Sequence, residues 1–129
     1  TDHALYNAVK WGTKMIFSVP CCQHELNSQI ESDRFAALTR YGIIKERTAA
    51  LMTDAIRGCL LESVGYKTAL LEFVDMAHSP KNILIRAYKA NTPEDKRKAA
   101  LQEALNLMED FHLSPTLYKL LHWKKIGMK

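Results

Sequence analysis

Apolar and small residues recur three or four positions apart at Ile44, Thr48, Leu51, Met52, Ala55, Ile56, Cys59 and Leu60. This spacing predicts a helix over 43–63 with one inward stripe, Lys45, Glu46, Arg47, Asp54 and Arg57 on its outer side, and an end near Gly65. Two extended runs follow, 67–74 and 82–88, joined by a seven-residue loop, 75–81. That loop is too short for the crossover helix that parallel strands require, so the runs are expected to pair antiparallel. Upstream, the apolar run 14–20 is stopped by Pro20, which suits a buried strand whose C-terminal end opens at Cys21-Cys22-Gln23-His24. Ahead of it, Ala4, Leu5, Ala8, Val9 and Trp11 predict a short helix over 1–14, closed by Gly12. Residues 28–40 read as a polar stretch with a further helix, set apart from the long one by Gly42. After the strands, Thr92 is placed as the N-cap of another helix, with Pro93 in its first turn and Glu94 and Asp95 at its positive end. Its stripe is Ala100, Leu101, Ala104, Leu105, Met108 and Phe111. A last short helix from Ser114-Pro115 carries Leu117, Leu120, Leu121 and Trp123.

Three strands fed by helices of this size leave one long apolar edge uncovered, the pattern of the second half of a larger α/β sheet. At 129 residues, 47% hydrophobic and 25% charged, the chain suits one globular domain. No window approaches the roughly 18 consecutive apolar residues of a membrane span, and Thr-Asp-His-Ala-Leu at the start lacks the layout of a secretory signal, so no membrane partner is expected. Three cysteines, two of them adjacent, cannot form an ordinary disulfide framework, and a cytoplasmic location follows as the expectation. Eighteen bases against fourteen acids give +4, a surplus that permits an anionic partner. Lys81, Arg86 and Lys89 lie in an acid-free stretch, as do Lys119, Lys124, Lys125 and Lys129.

Four segments carry a resemblance: Thr1-Asp2-His3-Ala4-Leu5, Val-Pro-Cys-Cys-Gln-His-Glu-Leu at 19–26, Tyr-Gly-Ile-Ile-Lys-Glu-Arg at 41–47, and Glu-Phe-Val at 72–74 with Ser-Pro-Lys-Asn-Ile-Leu-Ile-Arg-Ala at 79–87. Together they resemble class I S-adenosylmethionine-dependent methyltransferases of the group whose fifth strand ends in Pro-Cys-Cys-Gln. The match covers residues 1 to about 89. It implies an α/β fold, the C-terminal half of a Rossmann-like methyltransferase sheet over 1–90, with a helical tail over 91–129 packed on the same domain. In that fold 14–19 is the fifth strand, 43–63 the helix after it, and the two later runs the sixth and seventh strands, the seventh inserted antiparallel. The glycine-rich cofactor loop of such enzymes has no counterpart among the five isolated glycines at 12, 42, 58, 65 and 127. The resemblance therefore implies methyl transfer from S-adenosylmethionine to RNA by a longer chain, with this portion inactive alone. The alternative is a non-enzymatic interaction or regulatory module that completes its sheet by self-association.

Strand C-terminal ends line the ligand crevice of open α/β sheets, which directs attention to the turn at 21–24. Gln23 and His24 are the candidate catalytic pair, hydrogen-bonding or deprotonating the acceptor. Cys21 or Cys22 as a thiolate nucleophile, the pair with His24 as metal ligands, and the pair as mere packing are the competing readings. The cysteines lack the two-residue spacing of a chelating pair, so no metal is assigned. As cofactor contacts the resemblance implies Asp2, Pro20, Cys21 and Cys22, with a helix-capping role for Asp2 as its rival.

Overall fold

The computed structural model describes residues 1–20, 25–72 and 83–123. Helix α1 (Asp2–Lys10) is followed by strand β1 (Met15–Ser18), a 3₁₀ turn (Leu26–Ser28), helix α2 (Ala36–Arg40) and the long helix α3 (Gly42–Ser63). Strands β2 (Tyr66–Glu72) and β3 (Ile83–Lys89) come next, then helix α4 (Glu94–Asp110) and a short helix α5 (Thr116–Tyr118) that widens into a π turn (Lys119–Trp123). The fold is mixed α/β.

The sheet has the order β1-β3-β2, and β3 runs antiparallel to both neighbours. The antiparallel pairing expected from the short loop is present, with Lys67 opposite Tyr88 and Leu71 opposite Leu84. Residues 73–82, which hold that loop and the ends of both runs, lie outside the described residues. Alternation along the strands assigns Ile16, Tyr66, Ile85 and Ala87 to one face, all buried, and Met15, Phe17, Lys67, Arg86 and Tyr88 to the other, all exposed. Helix α3 covers the inner face at Gly58, where a Cβ would stand 3.6 Å from the Leu70 side chain. α3 also packs against α4, in which Ala100 and Ala104 are buried. α1 packs against α5 and the π turn, and its Leu5 joins Leu117 and Leu121 in the same core cluster.

Several expectations are corrected. Gly12, at φ +68°, closes the first helix as expected, but α1 itself covers only Asp2–Lys10 rather than the whole of 1–14. Gly42 is the first residue of α3 rather than a separator before it. The stripe of α3 is rotated from the expected one: Ile44 and Leu51 are 41% and 60% exposed, while Asp54 and Arg57, assigned to the outer side, are 1% and 4% exposed. The cause is mutual charge pairing, which makes their burial tolerable. Thr92 is not the N-cap of α4. Pro93, held extended at ψ 147°, flanks a helix that begins at Glu94, and its carbonyl accepts from the Arg97 N–H at 3.1 Å. The polar stretch after residue 28 also holds buried positions, Ile30 and Ser32, and Leu26 just before it is 1% exposed. Gly65 ends the long helix as expected, at φ +100°.

Candidate functional site

The end of β1 leads through Ser18 and Val19 to Pro20, whose ring is fully buried. Cys21, Cys22, Gln23 and His24, the candidate chemistry, lie outside the described residues. What is described is the chain on either side of them. Pro20 seats the chain in the core on one side. On the other, the Glu25 carboxylate accepts hydrogen bonds from the hydroxyl and the backbone N–H of Thr116, at the opening of α5. Further along, the Gln29 side-chain oxygen accepts from the Ser114 N–H at 2.8 Å, and the Glu31 N–H donates to the Phe111 carbonyl at 3.1 Å. The segment after the turn is thus strapped to the end of α4 and the start of α5.

Asp2 sits beside that strap. One of its carboxylate oxygens accepts from Arg57 Nε at 2.7 Å, and the other from the Leu117 N–H at 3.1 Å. Arg57 in turn donates to Asp54 at 3.1 Å, one helical turn back on α3. With Asp2 7% exposed, the cluster is internal. A guanidinium between two carboxylates at these distances is held by charge-assisted hydrogen bonds, and its removal would take from both carboxylates a cationic donor in a poorly solvated place. Asp2 and Glu25 together satisfy the first N–H groups of α5, where the helix end favours negative charge.

One oxygen accepts from Arg57 and the other from the Leu117 N–H, so that Asp2, expected as a cofactor contact or a helix cap, ties α1 to α3 and α5. Pro20 is packed inward. Among the described residues no group of three or more His, Cys, Asp or Glu side chains is placed to hold a metal ion.

Arg57 and Asp54 were missed as members of this cluster because charge was read as exposure. The signal was nonetheless present: from Ala55 to Leu61 α3 is apolar on all sides except Arg57, and a helix apolar all round is a buried one. Cys59, further along α3, is half-buried and its thiol is pushed up to about 11, chiefly by burial and then by the Glu103 and Glu62 carboxylates. A thiol so disfavoured as thiolate is a poor nucleophile. A cleft of about 440 Å³ opens elsewhere, between Tyr66, Lys67 and Thr68 and the start of α4 at Thr92, Pro93 and Lys96. It touches neither Asp2 nor Pro20.

No family model, no curated protein and no solved structure matches this chain. No helix among the described residues is long and apolar enough to cross a membrane.

Proposed function

We propose that this chain forms the acceptor-side half of an S-adenosylmethionine-dependent methyltransferase, with RNA as the acceptor and with the groups that grip the cofactor lying outside the described residues. The single observation that supports the reading is the order β1-β3-β2, in which the last strand of the sheet is inserted antiparallel between the other two. It is the arrangement the sequence resemblance implies for strands five, seven and six. In this reading the end of β1 is the working end of the sheet, Gln23 and His24 orient or deprotonate the acceptor, and Cys21 and Cys22 serve the cofactor. Exposed Arg86, Lys67 and Lys89 supply positive charge toward a phosphate backbone.

Titration of S-adenosylmethionine into the isotopically labelled chain, followed by NMR, tests this. The expected result is a dissociation constant weaker than about 10 μM, equivalent to less than roughly 7 kcal/mol, with shift changes confined to the end of β1 and residues 21–24. Binding tighter than that would contradict the incomplete grip. Shift changes clustered at the cleft beside Thr68 would contradict the methyltransferase reading.

A second reading is favoured by a different observation. Met15, Phe17 and Val19 are 53%, 60% and 50% exposed along an edge strand that no described strand covers. Here the chain is an interaction module whose sheet is completed by another copy.

A further inference from the structure

The hydrogen-bonding phase of β1 fixes what its free edge offers. The Lys89 N–H donates to the Lys14 carbonyl at 2.8 Å, so the pair Lys14–Lys89 is of the hydrogen-bonded kind. In an antiparallel ladder such pairs alternate with non-bonded ones. Ile16 and Ser18, opposite Ala87 and Ile85, therefore turn their backbone groups toward β3, and Met15 and Phe17 turn theirs outward along the free edge. The residues that turn their backbone outward are the ones whose apolar side chains lie exposed on the outer face.

Edge strands are ordinarily protected by lysine, proline or a bulge. Between Met15 and Val19 there is no charge and no proline; Lys14 and Pro20 only bracket the run. We propose that this edge pairs antiparallel with the same edge of a second copy, Phe17 opposite the partner's Phe17, across a two-fold axis. Met15 then faces the partner's Val19 and Lys14 faces the partner's Pro20, so every exposed apolar residue of the edge gains an apolar partner and no like charges stand opposite. Other registers do worse. Centring on Met15 sets Val19 opposite Trp11, which lies in the turn after α1, and centring on Val19 pairs only positions 18–20 among the described residues and gives Met15 and Phe17 no partner among them. In the chosen register the outward groups of Met15 and Phe17 all find partners, and two three-stranded sheets become one continuous sheet.

The inference rests on the self-association reading and is independent of methyl transfer. Sedimentation velocity of the 129-residue chain from about 1 to 200 μM tests it, a range that registers association of roughly 5 to 8 kcal/mol. The expected result is a dimer fraction that rises with concentration. Phe17→Pro removes the outward N–H without touching any bond to β3, and Phe17→Lys sets like charges opposite across the axis. Each is expected to weaken the dimer at least tenfold with an unchanged far-ultraviolet circular dichroism spectrum. Should the proline variant fail to fold, the lysine variant at this 60% exposed position carries the test. A wild-type chain monomeric at 200 μM overturns both self-association and the register. A dimer that Phe17→Lys leaves intact, or assembly into open polymers, overturns the register alone.

Discussion

On the inner face of the sheet Ile16, Tyr66, Ile85 and Ala87 are at most 6% exposed, whereas on the outer face Met15, Phe17 and Tyr88 are 53%, 60% and 39% exposed. The same strands supply both sets. Met15-Ile16-Phe17, Ala69-Leu70-Leu71 and Ile83-Leu84-Ile85 do not alternate between apolar and polar residues, as strands with one solvated face do. Continuous apolar runs belong to strands buried on both sides. The difference between the faces therefore lies not in the strands but in what covers them: α3 covers the inner face, where only Leu70 among the large apolar residues stays as exposed as 42%, and no described helix covers the outer one. An α/β sheet of this composition is finished on one side and prepared for cover on the other, consistent both with half of a methyltransferase sheet and with a module that associates through β1.

Breaking the finished side should cost most at its buried charges. Arg57→Met removes the guanidinium from which both the buried Asp2 and Asp54 carboxylates accept, and a loss of about 3–5 kcal/mol is expected, read as a fall in the urea midpoint. Against a total stability of roughly 5–15 kcal/mol this brings the chain close to unfolding. The two faces can then be compared directly, at a dilution where the chain is monomeric. Ile85→Ala on the inner face should cost about 3 kcal/mol, while Phe17→Ala on the outer face should stay within about 0.5 kcal/mol. Equal costs would mean that the outer face is covered after all.

A smaller effect comes from the seam between α3 and α4. Burial first, and the Glu103 carboxylate second, raise the Glu62 carboxyl above its ordinary value of 4.5. A raised value in the folded state means that the stability this group contributes is present below pH 4.5 and is lost as the pH rises through the raised value. Glu62→Gln, which stays neutral, should therefore raise Tm at pH 7 and leave it unchanged at pH 4. Because the group is largely solvated, screening keeps the gain under about 0.5 kcal/mol.

The sequence made the hairpin and the long helix legible because each rests on a local rule. A seven-residue loop cannot hold a crossover, and a run of residues spaced three and four apart from Ile44 to Leu60 has few alternatives to a helix. The facing of that helix was not legible from its charges, since Asp54 and Arg57 are buried through a partner, Asp2, that lies 55 residues from Arg57 in the chain. Leu26 and Ile30 were hidden for a related reason: two apolar residues in a polar stretch carry no period, and their burial comes from packing in the common core. At the candidate site the strand end at Pro20 was readable, but not the commitment of both Asp2 oxygens to Arg57 and Leu117, which depends on α5 folding back onto α1.

The claim on which the rest depends is that the free edge of β1 is open in the single chain, and amide hydrogen exchange on the monomeric Phe17→Lys variant tests it most directly. The account predicts slow exchange at Ile16 and Ser18, whose N–H groups face β3, and fast exchange at positions 15 and 17, whose N–H groups face outward. Protection at 15 and 17 equal to that at 16 and 18 would show that the edge is covered within the chain itself, and would contradict both the half-sheet reading and the proposed pairing.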